Sequence, residues 1–424
     1  MAGYSTQGTR IVGPTGTNFV PVGMNMACFG SDGGLWQNRT HEQVSADALK
    51  AWDCNTVRLV NYVTTRNSWS VRNSTTGYNG KPAGFQSVIE VSRRATDMYR
   101  ANGIVVILEA HDFTTDAASE TQANRDKWHG EVVEYWVEMA NLYKNDSGVW
   151  FNLYNEPSMI NAEYVSRQNT AAAAIRAQGA NNIIVIDAPR WGQDIPTAGQ
   201  DQGFIPSMAP TLAATHGNVV YSHHNYGGNN GWFGTPYSFG KYLDQVQAAG
   251  LPLLIGEIGW PRACGWDTSY SNMRNAGIVT IAEALRRGIG ILWWAGAHND
   301  EFDLHYDPVA NQSCEIWDTK TTTLPLSDGG AVFKQYTLRQ AGKPSMANLD
   351  VVTPTGLGKQ MKAAISANRD GVTDTVRAAM GGGVLTTGSA TTRPTTDPNV
   401  RVVFYTPTPP TAVMLAGDVW VPTA

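Results

Sequence analysis

The 424-residue chain contains little cysteine, little charge and no long apolar runs. Its four cysteines are too few for a disulfide scaffold, and none stand at zinc-finger spacing, which excludes a small cross-linked module. Charged residues make up only 16% of the chain, and 36 acidic residues outnumber 31 scattered basic ones. The sequence therefore does not predict a protein that binds along nucleic-acid phosphates.

No run of 18 apolar residues occurs, so we expect no membrane span. The first six residues show no basic region followed by an apolar stretch, so we expect no secretory signal. Hydrophobic residues reach 42%, with 43 glycines and 21 prolines, which gives a large core and many loops and excludes a disordered or collagen-like chain. The length allows two or three domains, or one large barrel with an appendage.

Short apolar runs alternate with amphipathic segments along most of the chain. Eight runs predict strands, at residues 20–26, 56–61, 104–110, 149–154, 183–187, 219–223, 252–256 and 289–294. Amphipathic helices are predicted at residues 41–52, 87–102, 131–144, 164–178, 239–249 and 272–287, with a weaker one at 208–214.

Continuous apolar strands joined by such crossovers indicate a parallel sheet that is covered by helices. Eight of these units close into a (β/α)₈ barrel of the TIM type, the fold that we predict for residues 1–345. An open doubly wound sheet is the alternative. That fold usually carries a phosphate-binding GxGxxG turn after its first strand, and the pattern is absent there.

The composition changes after about residue 345. Residues 359–380 predict one amphipathic helix, residues 381–396 are rich in Gly, Thr, Ser and Pro, and the end contains the strand-like pieces RVVFYT and DVWVP. A segment of this size and content buries little surface on its own. We predict that residues 346–424 form an appendage that packs on the barrel, mediates oligomer contacts or docks into a larger assembly.

Two carboxylates directly follow apolar runs. Glu156 follows the fourth strand in FNLYNEP, and Glu257 ends the seventh in LLIGEIGW. The carboxyl ends of barrel strands build the active site, and a carboxylate there costs stability unless it is paired or functional. A capping or paired role would explain either residue alone. Two carboxylates that face each other across a cleft are the minimum needed to cleave a glycosidic bond.

The sequence resembles glycoside hydrolase family 5, a group of retaining β-glycanases that includes cellulases and β-mannanases. The resemblance covers roughly residues 10–340 and rests on the motifs TRIVGPTGTNFVPVGMN, NTVRLV, IVVILEAHD, FNLYNEP, VVYSHHNY, LLIGEIGW and ILWW. The segments EAHDFT, EYWVEMANLYK and NIIVIDAPRWGQDI most resemble bacterial β-mannanase-like members. The resemblance implies a retaining, endo-acting hydrolase of mannan-type β-1,4-linked polysaccharide, with cellulase or β-glucanase activity as the alternative.

Matched position by position, the resemblance implies that Glu156 is the acid/base and Glu257 the nucleophile. Arg58 would lie beside the nucleophile and keep it ionised, with an ordinary structural ion pair as the alternative. Asn155 would bond the sugar 2-hydroxyl, a contact that strengthens in the transition state. His111 would contact a neighbouring hydroxyl, unless it forms a structural pair with Asp112.

The remaining matches concern the walls of the same subsite. His224 and Tyr226 match a His-x-Tyr pair, which implies a histidine near the acid/base and a tyrosine near the nucleophile. Trp294 would be the stacking floor, with the adjacent Trp293 as the alternative. Trp191 and Trp260 lie in predicted loops, and we expect them to offer further flat faces for sugar rings, with loop packing as the alternative.

Neither a cofactor nor a metal is expected. Carboxylates and water suffice for the proposed chemistry, and the adjacent His223 and His224 have no third ligand at a spacing such as HExxH. Cys264 and Cys314 are predicted on loops at one end of the barrel, where they form a disulfide or remain thiols.

The expected partner is a polysaccharide, not nucleic acid or a membrane. The ending RPTTDPNVRVVFYTPTPPTAVMLAGDVWVPTA resembles endings of tail-associated proteins of phages that infect actinobacteria. That resemblance implies virion contacts through residues 346–424 and action outside the cell on a host glycan, either as a depolymerase or as a binding protein. The presence of both glutamates favours an active enzyme. A cytoplasmic enzyme that acts on imported oligosaccharides also fits the N-terminus.

Overall fold

Eight parallel strands close into a barrel in the computed structural model. The barrel strands are β3 to β10, and a short antiparallel hairpin, β1 (Ser5–Gln7) and β2 (Arg10–Val12), precedes them. The structure describes residues 3–28, 39–68, 70–112, 120–158, 162–195, 202–227, 236–261, 268–297, 302, 304–307, 312–314, 316, 326–343, 384–387, 402–406 and 419–422.

The predicted (β/α)₈ barrel is confirmed, and each predicted strand overlaps a strand of the barrel. The strands are β3 (Val22–Ala27), β4 (Thr56–Asn61), β5 (Val105–Ala110), β6 (Val149–Asn152), β7 (Ile184–Asp187), β8 (Val219–His224), β9 (Leu253–Ile258) and β10 (Gly290–Ala297). Each pairs in parallel with the next, and β10 pairs with β3 to close the ring. No open doubly wound sheet is formed by these strands.

Helices follow the barrel strands. They are α1 (Gln43–Ala51), α2 (Phe85–Ala101), α3 (Gln122–Tyr143), α4 (Ala162–Ala177), α5 (Phe204–His216), α6 (Pro236–Ala248), α7 (Thr268–Arg287) and α8 (Asp328–Gln340). Helix α3 begins well before the predicted residue 131, because the Thr121 hydroxyl caps it by accepting the Asn124 backbone N–H at 3.2 Å. Among the described residues, no helix is both long and apolar enough to cross a bilayer.

The amino-terminal half of the barrel interior is apolar. Trp150 on β6 is fully buried there, and the rings of Tyr4 and Phe19 meet it edge-on at centroid distances of 5.9 and 6.0 Å. The remaining buried side chains of this cluster come from the hairpin and from residues in or next to strands β5, β7, β8, β9 and β10: Ile11, Val105, Ile107, Ile183, Val185, Val220, Leu254 and Leu292. The amino end of the barrel is thus closed by hydrophobic packing.

The next inward-facing positions along the same strands are polar. Side chains of a strand alternate between its two faces, so a residue two positions further on faces the same way. On β5, Ile107 belongs to the apolar cluster, and Glu109 follows on the same face. Asn152 follows Trp150 in the same way, and both polar side chains are fully buried. A polar layer therefore lies across the carboxyl end of the barrel.

Short strands lie beyond the barrel strands. A hairpin is formed by β11 (His305–Asp307) and β12 (Gln312–Cys314), and a parallel sheet by β13 (Val384–Thr387), β14 (Val402–Thr406) and β15 (Val419–Pro422). Strands β14 and β15 fall on the two strand-like pieces of the sequence. The predicted helix 359–380 and the pairing of Cys264 with Cys314 lie outside the described residues, and the division at residue 345 stays a prediction.

Candidate active site

Glu156 and Glu257 face each other at the carboxyl end of the barrel. Glu257 lies in β9, and Glu156 follows β6 in the left-handed region with φ +43°, which is uncommon for a residue other than glycine. The Glu156 backbone N–H donates to Asp187 Oδ2 at 3.2 Å, which holds this strained position. One carboxylate oxygen of each glutamate lies within 4.8 Å of the other. The two side chains thus flank a space that one glycosidic bond could occupy.

Arg58 lies beneath both carboxylates and is fully buried. Its guanidinium has five N–H groups, and each of the five hydrogen bonds that it donates goes to a different residue. The acceptors are Asn152 Oδ1 (2.8 Å), Asn25 Oδ1 (2.9 Å), Glu257 Oε1 (2.8 Å), Asn155 Oδ1 (2.9 Å) and Asp187 Oδ2 (3.2 Å). A buried charge is tolerated when it is paired and hydrogen-bonded in this way. The network fixes Glu257 and Asn155 relative to each other.

His224 and Tyr226 connect the two glutamates. Tyr226 Oη donates to Glu257 Oε2 at 2.9 Å, so both oxygens of Glu257 accept a hydrogen bond. His224 Nδ1 lies 2.8 Å from Glu156 Oε1 and 3.5 Å from Glu257 Oε2. Gly192 passes close to this ring, because a Cβ at that position would lie 2.6 Å from it and the backbone has φ +71°. Only glycine fits there.

The two carboxylates have different electrostatic surroundings. Burial raises the pKa of Glu156 to about 7, with Asp187 adding to the rise and Arg58 opposing it. Burial also raises the pKa of Glu257, against the lowering effects of His224 and Arg58. Hydrogen bonds from Arg58 and Tyr226 favour the ionised form of Glu257. The arrangement therefore provides a proton donor at Glu156 and a carboxylate at Glu257.

His111 and Trp294 form one wall of the site. Their rings are stacked, with centroids 5.7 Å apart and planes 11° from parallel. His111 Nδ1 lies 3.1 Å from Glu109 Oε1, and burial lowers the pKa of His111 to about 4, so the ring is neutral near pH 7. Trp293, by contrast, is fully buried and donates from Nε1 to Phe302 O at 3.0 Å. Of the two adjacent tryptophans, Trp294 lies at the site.

The two expected aromatic platforms differ. Trp191 is 53% exposed on the loop after β7, has φ +56°, and donates its backbone N–H to Pro157 O at 3.2 Å, next to Glu156. Trp260 is 1% exposed and donates from Nε1 to Asp328 Oδ2 at 2.9 Å. The prediction that Trp260 offers a sugar-binding face is therefore wrong. Its position after a strand gave no measure of burial, and its ring is part of the core.

Four polar side chains of the site were not predicted from the sequence. They are Asn25, Glu109, Asn152 and Asp187. Each is a polar residue at an inward position near the carboxyl end of an apolar strand, and that pattern could have identified them. Burial raises the pKa of Glu109 to about 8, against the effect of Arg58, which lies 3.7 Å away.

Three residues of the site carry atoms of the kind that bind a small cation: Glu156, His224 and Glu257. One such atom of each residue lies within 4.8 Å of the others. These atoms already interact with one another, and Glu257 also accepts from Arg58 and Tyr226. The neighbouring guanidinium would oppose a cation at this place. We assign no metal ligand here.

A (β/α)₈ barrel that presents two facing carboxylates at the carboxyl ends of its strands has the architecture of a glycoside hydrolase. The comparison with known families agrees. The family profile described as Cellulase (glycosyl hydrolase family 5) matches residues 12–300, and the chain belongs to this family.

Individual relatives carry mannanase and endoglucanase names. The chain is 30% identical over 224 residues to the beta-mannanase/endoglucanase A of Caldicellulosiruptor saccharolyticus, covering 51% of this chain and 15% of that protein. It is 28% identical over 207 residues to a mannan endo-1,4-beta-mannosidase of Streptomyces lividans, covering 47% of this chain and 48% of the relative. The chain thus spans half or less of the length of these relatives.

A solved structure matches most of the barrel. The beta-mannanase from Streptomyces thermolilacinus, crystallised with mannohexaose, is 25% identical and has a TM-score of 0.57. The match covers 82% of this chain and 99% of that one.

Proposed function

We propose that the protein is a retaining, endo-acting β-1,4-glycanase with mannan-type polysaccharide as its substrate, Glu257 as nucleophile and Glu156 as acid/base. The observation that carries this proposal is the separation of the two carboxylates, whose oxygens approach within 4.8 Å. Retaining enzymes hold their carboxyl groups about 5–5.5 Å apart, whereas inverting enzymes leave about 6.5–9.5 Å for a water molecule.

The reaction would run in two displacements. Glu257 attacks the anomeric carbon while Glu156 gives its proton to the leaving glycosidic oxygen, which forms a glycosyl ester and releases the first product. Glu156, now ionised, then takes a proton from water, and the resulting nucleophile attacks the anomeric carbon and frees the Glu257 carboxylate. The two inversions together retain the β configuration, and Glu156 regains its proton.

The neighbouring residues support these two roles. Arg58 and Tyr226 each bond one oxygen of Glu257, which keeps the nucleophile ionised and fixes the direction of its attack. Asn155, held by Arg58, is proposed to bond the sugar 2-hydroxyl, and His111 a neighbouring hydroxyl. The half-buried Trp294 ring would be the floor under the same sugar.

The preference for mannan is supported by the names of the relatives and by the mannanase-like segments of the sequence. A β-1,4-glucan is the alternative, because mannose and glucose differ only in the configuration at C2 and the family profile is that of cellulases. No cofactor is expected for either substrate.

A reducing-end assay on a panel of glycans tests the proposal. The panel should contain galactomannan, glucomannan, carboxymethylcellulose, barley glucan, xylan and an actinobacterial cell-wall extract, with the double variant Glu156→Gln/Glu257→Gln as the blank. We expect release from the mannans. Release from the cellulose derivative and barley glucan alone would establish the glucan alternative, and no release from any glycan by folded protein would contradict an enzymatic role.

A second candidate function concerns residues 346–424. The ending of the chain resembles tail-associated phage proteins, which supports a virion-associated protein that binds or cleaves a host-surface glycan through contacts of this segment. The cell-wall arm of the panel tests it, since release from that extract alone would favour this function over polysaccharide degradation. Binding of the extract without release would favour adsorption.

A further inference from the structure

We propose that Asp187 is a positioning residue that acts through His224 to keep Glu156 in the acid form that the first displacement requires. The inference rests on the proposed function, because it assigns a role relative to the acid/base. Asp187 ends β7 and is fully buried, and the sequence analysis gave it no role, although it lies in the segment NIIVIDAPRWGQDI.

The Asp187 carboxylate touches the surroundings of both glutamates. Its Oδ2 accepts from Arg58 Nη2 at 3.2 Å and from the Glu156 backbone N–H at 3.2 Å, and its Oδ1 accepts from Asn152 Nδ2 at 3.0 Å. Three donors hold this carboxyl group in one position. The same Oδ2 lies 3.3 Å from His224 Nε2. A negative charge is therefore fixed behind the imidazole that contacts the acid/base.

This charge selects the tautomer of His224. Asp187 Oδ2 lies nearer to Nε2 (3.3 Å) than Glu257 Oε2 lies to Nδ1 (3.5 Å), so a bare Nε2 lone pair would be repelled more strongly, and the proton of the neutral ring belongs on Nε2. Nδ1 is then an acceptor, and it lies 2.8 Å from Glu156 Oε1. A carboxylate cannot donate a hydrogen bond, whereas a carboxylic acid can. The pair is consequently bonded only when Glu156 carries the proton, which is its state before the first displacement.

The electrostatic balance at Glu156 points the same way. The charged and titratable groups that face it come from five strands and their ends: Arg58, Glu109, His111, Asp187, His224 and Glu257. Burial raises its pKa most, the nearby negative charge of Asp187 adds to the rise, and Arg58 opposes it. Removing the charge of Asp187 should therefore let Glu156 lose its proton at lower pH.

The test compares pH profiles of kcat/KM on an unactivated β-1,4-mannooligosaccharide for the wild type and Asp187→Asn. We expect the basic limb, which reports the acid form of Glu156, to move down by about one pH unit. Asp194→Asn is the matched control. That residue is also a buried carboxylate after β7, but its oxygens accept the amides of Phe204 and Ile205 at 2.7 and 3.0 Å. Its basic limb should not move.

An unmoved basic limb in folded Asp187→Asn would overturn the inference. A second measurement does not depend on how that variant folds. Long-range ¹H–¹⁵N NMR of the wild-type histidines, assigned with His224→Gln, should show a protonated Nε2 and a bare Nδ1 in neutral His224, and the reverse tautomer would also overturn the inference. The variant Glu156→Gln distinguishes a failure of the proposed function from a failure of the inference about Asp187. If it keeps full turnover, the proposed function fails, whereas an inactive Glu156→Gln with an unmoved Asp187→Asn profile removes only the inference.

Discussion

The two ends of the barrel interior are built by the same strands with opposite chemistry. At the amino end, Trp150 and its neighbours form an apolar layer that Tyr4 and Phe19 close. Two residues further along, the inward positions carry Asn152 and the other polar side chains around Arg58. Apolar burial contributes about 25 cal/mol per Å², whereas buried polar groups cost free energy unless each is hydrogen-bonded. One end therefore supplies stability and the other supplies chemistry.

The difference between the two ends explains why the polar groups at the carboxyl end, here called the polar end, make so many hydrogen bonds. Arg58 donates to five residues, and both oxygens of Glu257 accept. Such a layer gains little net stability, but it holds each group in one position. Substitutions at the two ends should consequently separate activity from stability.

Removal of Glu257, the proposed nucleophile, should have the largest effect. Glu257→Ala is expected to lower turnover on the order of 10⁴-fold or more, because the covalent step is lost. Azide should restore activity and give a product of inverted, α configuration, observed by ¹H NMR. Turnover near the normal value would refute the assignment of Glu257.

Truncation of a buried side chain at the amino end should lower stability and leave the pH profile of activity unchanged. Trp150→Ala removes a fully buried ring, and we expect a loss of about 3–5 kcal/mol in the free energy of unfolding, measured by urea denaturation. The pH profile of the folded variant should be unchanged, because the site lies at the other end. A shifted profile without a loss of stability would contradict the separation of the two ends.

The pH dependence of kcat/KM tests the role of Glu156 as the acid. The pKa of Glu156 is raised to about 7, and the group must be protonated to act as an acid, so kcat/KM should fall as pH rises through that value. Well above it, the fall should approach tenfold per pH unit. Aryl glycosides with good leaving groups need no proton, so their formation of the glycosyl ester should not show the fall. Glu156→Ala should likewise spare that step for these substrates.

The smallest effect on activity is expected from Trp191, which lies exposed at the edge of the site. Trp191→Ala removes an exposed ring beside the loop of Glu156 and should raise KM for long polysaccharides about 2- to 12-fold, with kcat little changed. Leu142→Ala, which truncates another exposed apolar side chain, on α3, is the control and should leave KM unchanged. Equal KM values for the two variants would show that Trp191 does not bind the substrate.

Much of the barrel could be predicted because its strands are short apolar runs separated by amphipathic helices. The range 56–61 is the same in the prediction and in the structure. The hairpin of β1 and β2 was not predicted, since strands of three residues have too little pattern. The fold of residues 346–424 could not be derived, because the single helix and the short strand-like pieces predicted there do not define how they pack.

The candidate site could be predicted only where the family resemblance assigns a role to a polar residue of a motif. Glu156 and Glu257 directly follow apolar runs, and the structure brings them together. Glu109 and Asp187 are single acidic residues in apolar strands, and their partners, Arg58 and His224, lie far away in the sequence. Trp260 shows the converse error, because exposure depends on tertiary packing that a local pattern does not contain.

Covalent trapping tests the central claim most directly. The protein would be incubated with 2-deoxy-2-fluoro-β-mannosyl and 2-deoxy-2-fluoro-β-cellobiosyl donors that carry dinitrophenyl leaving groups, digested, and sequenced by mass spectrometry. If the polar end is a retaining site, the fluoroglycosyl group is found as an ester on Glu257, and Glu257→Gln carries no label. A label on Glu156, or turnover with an inverted product and no label at all, would contradict the account.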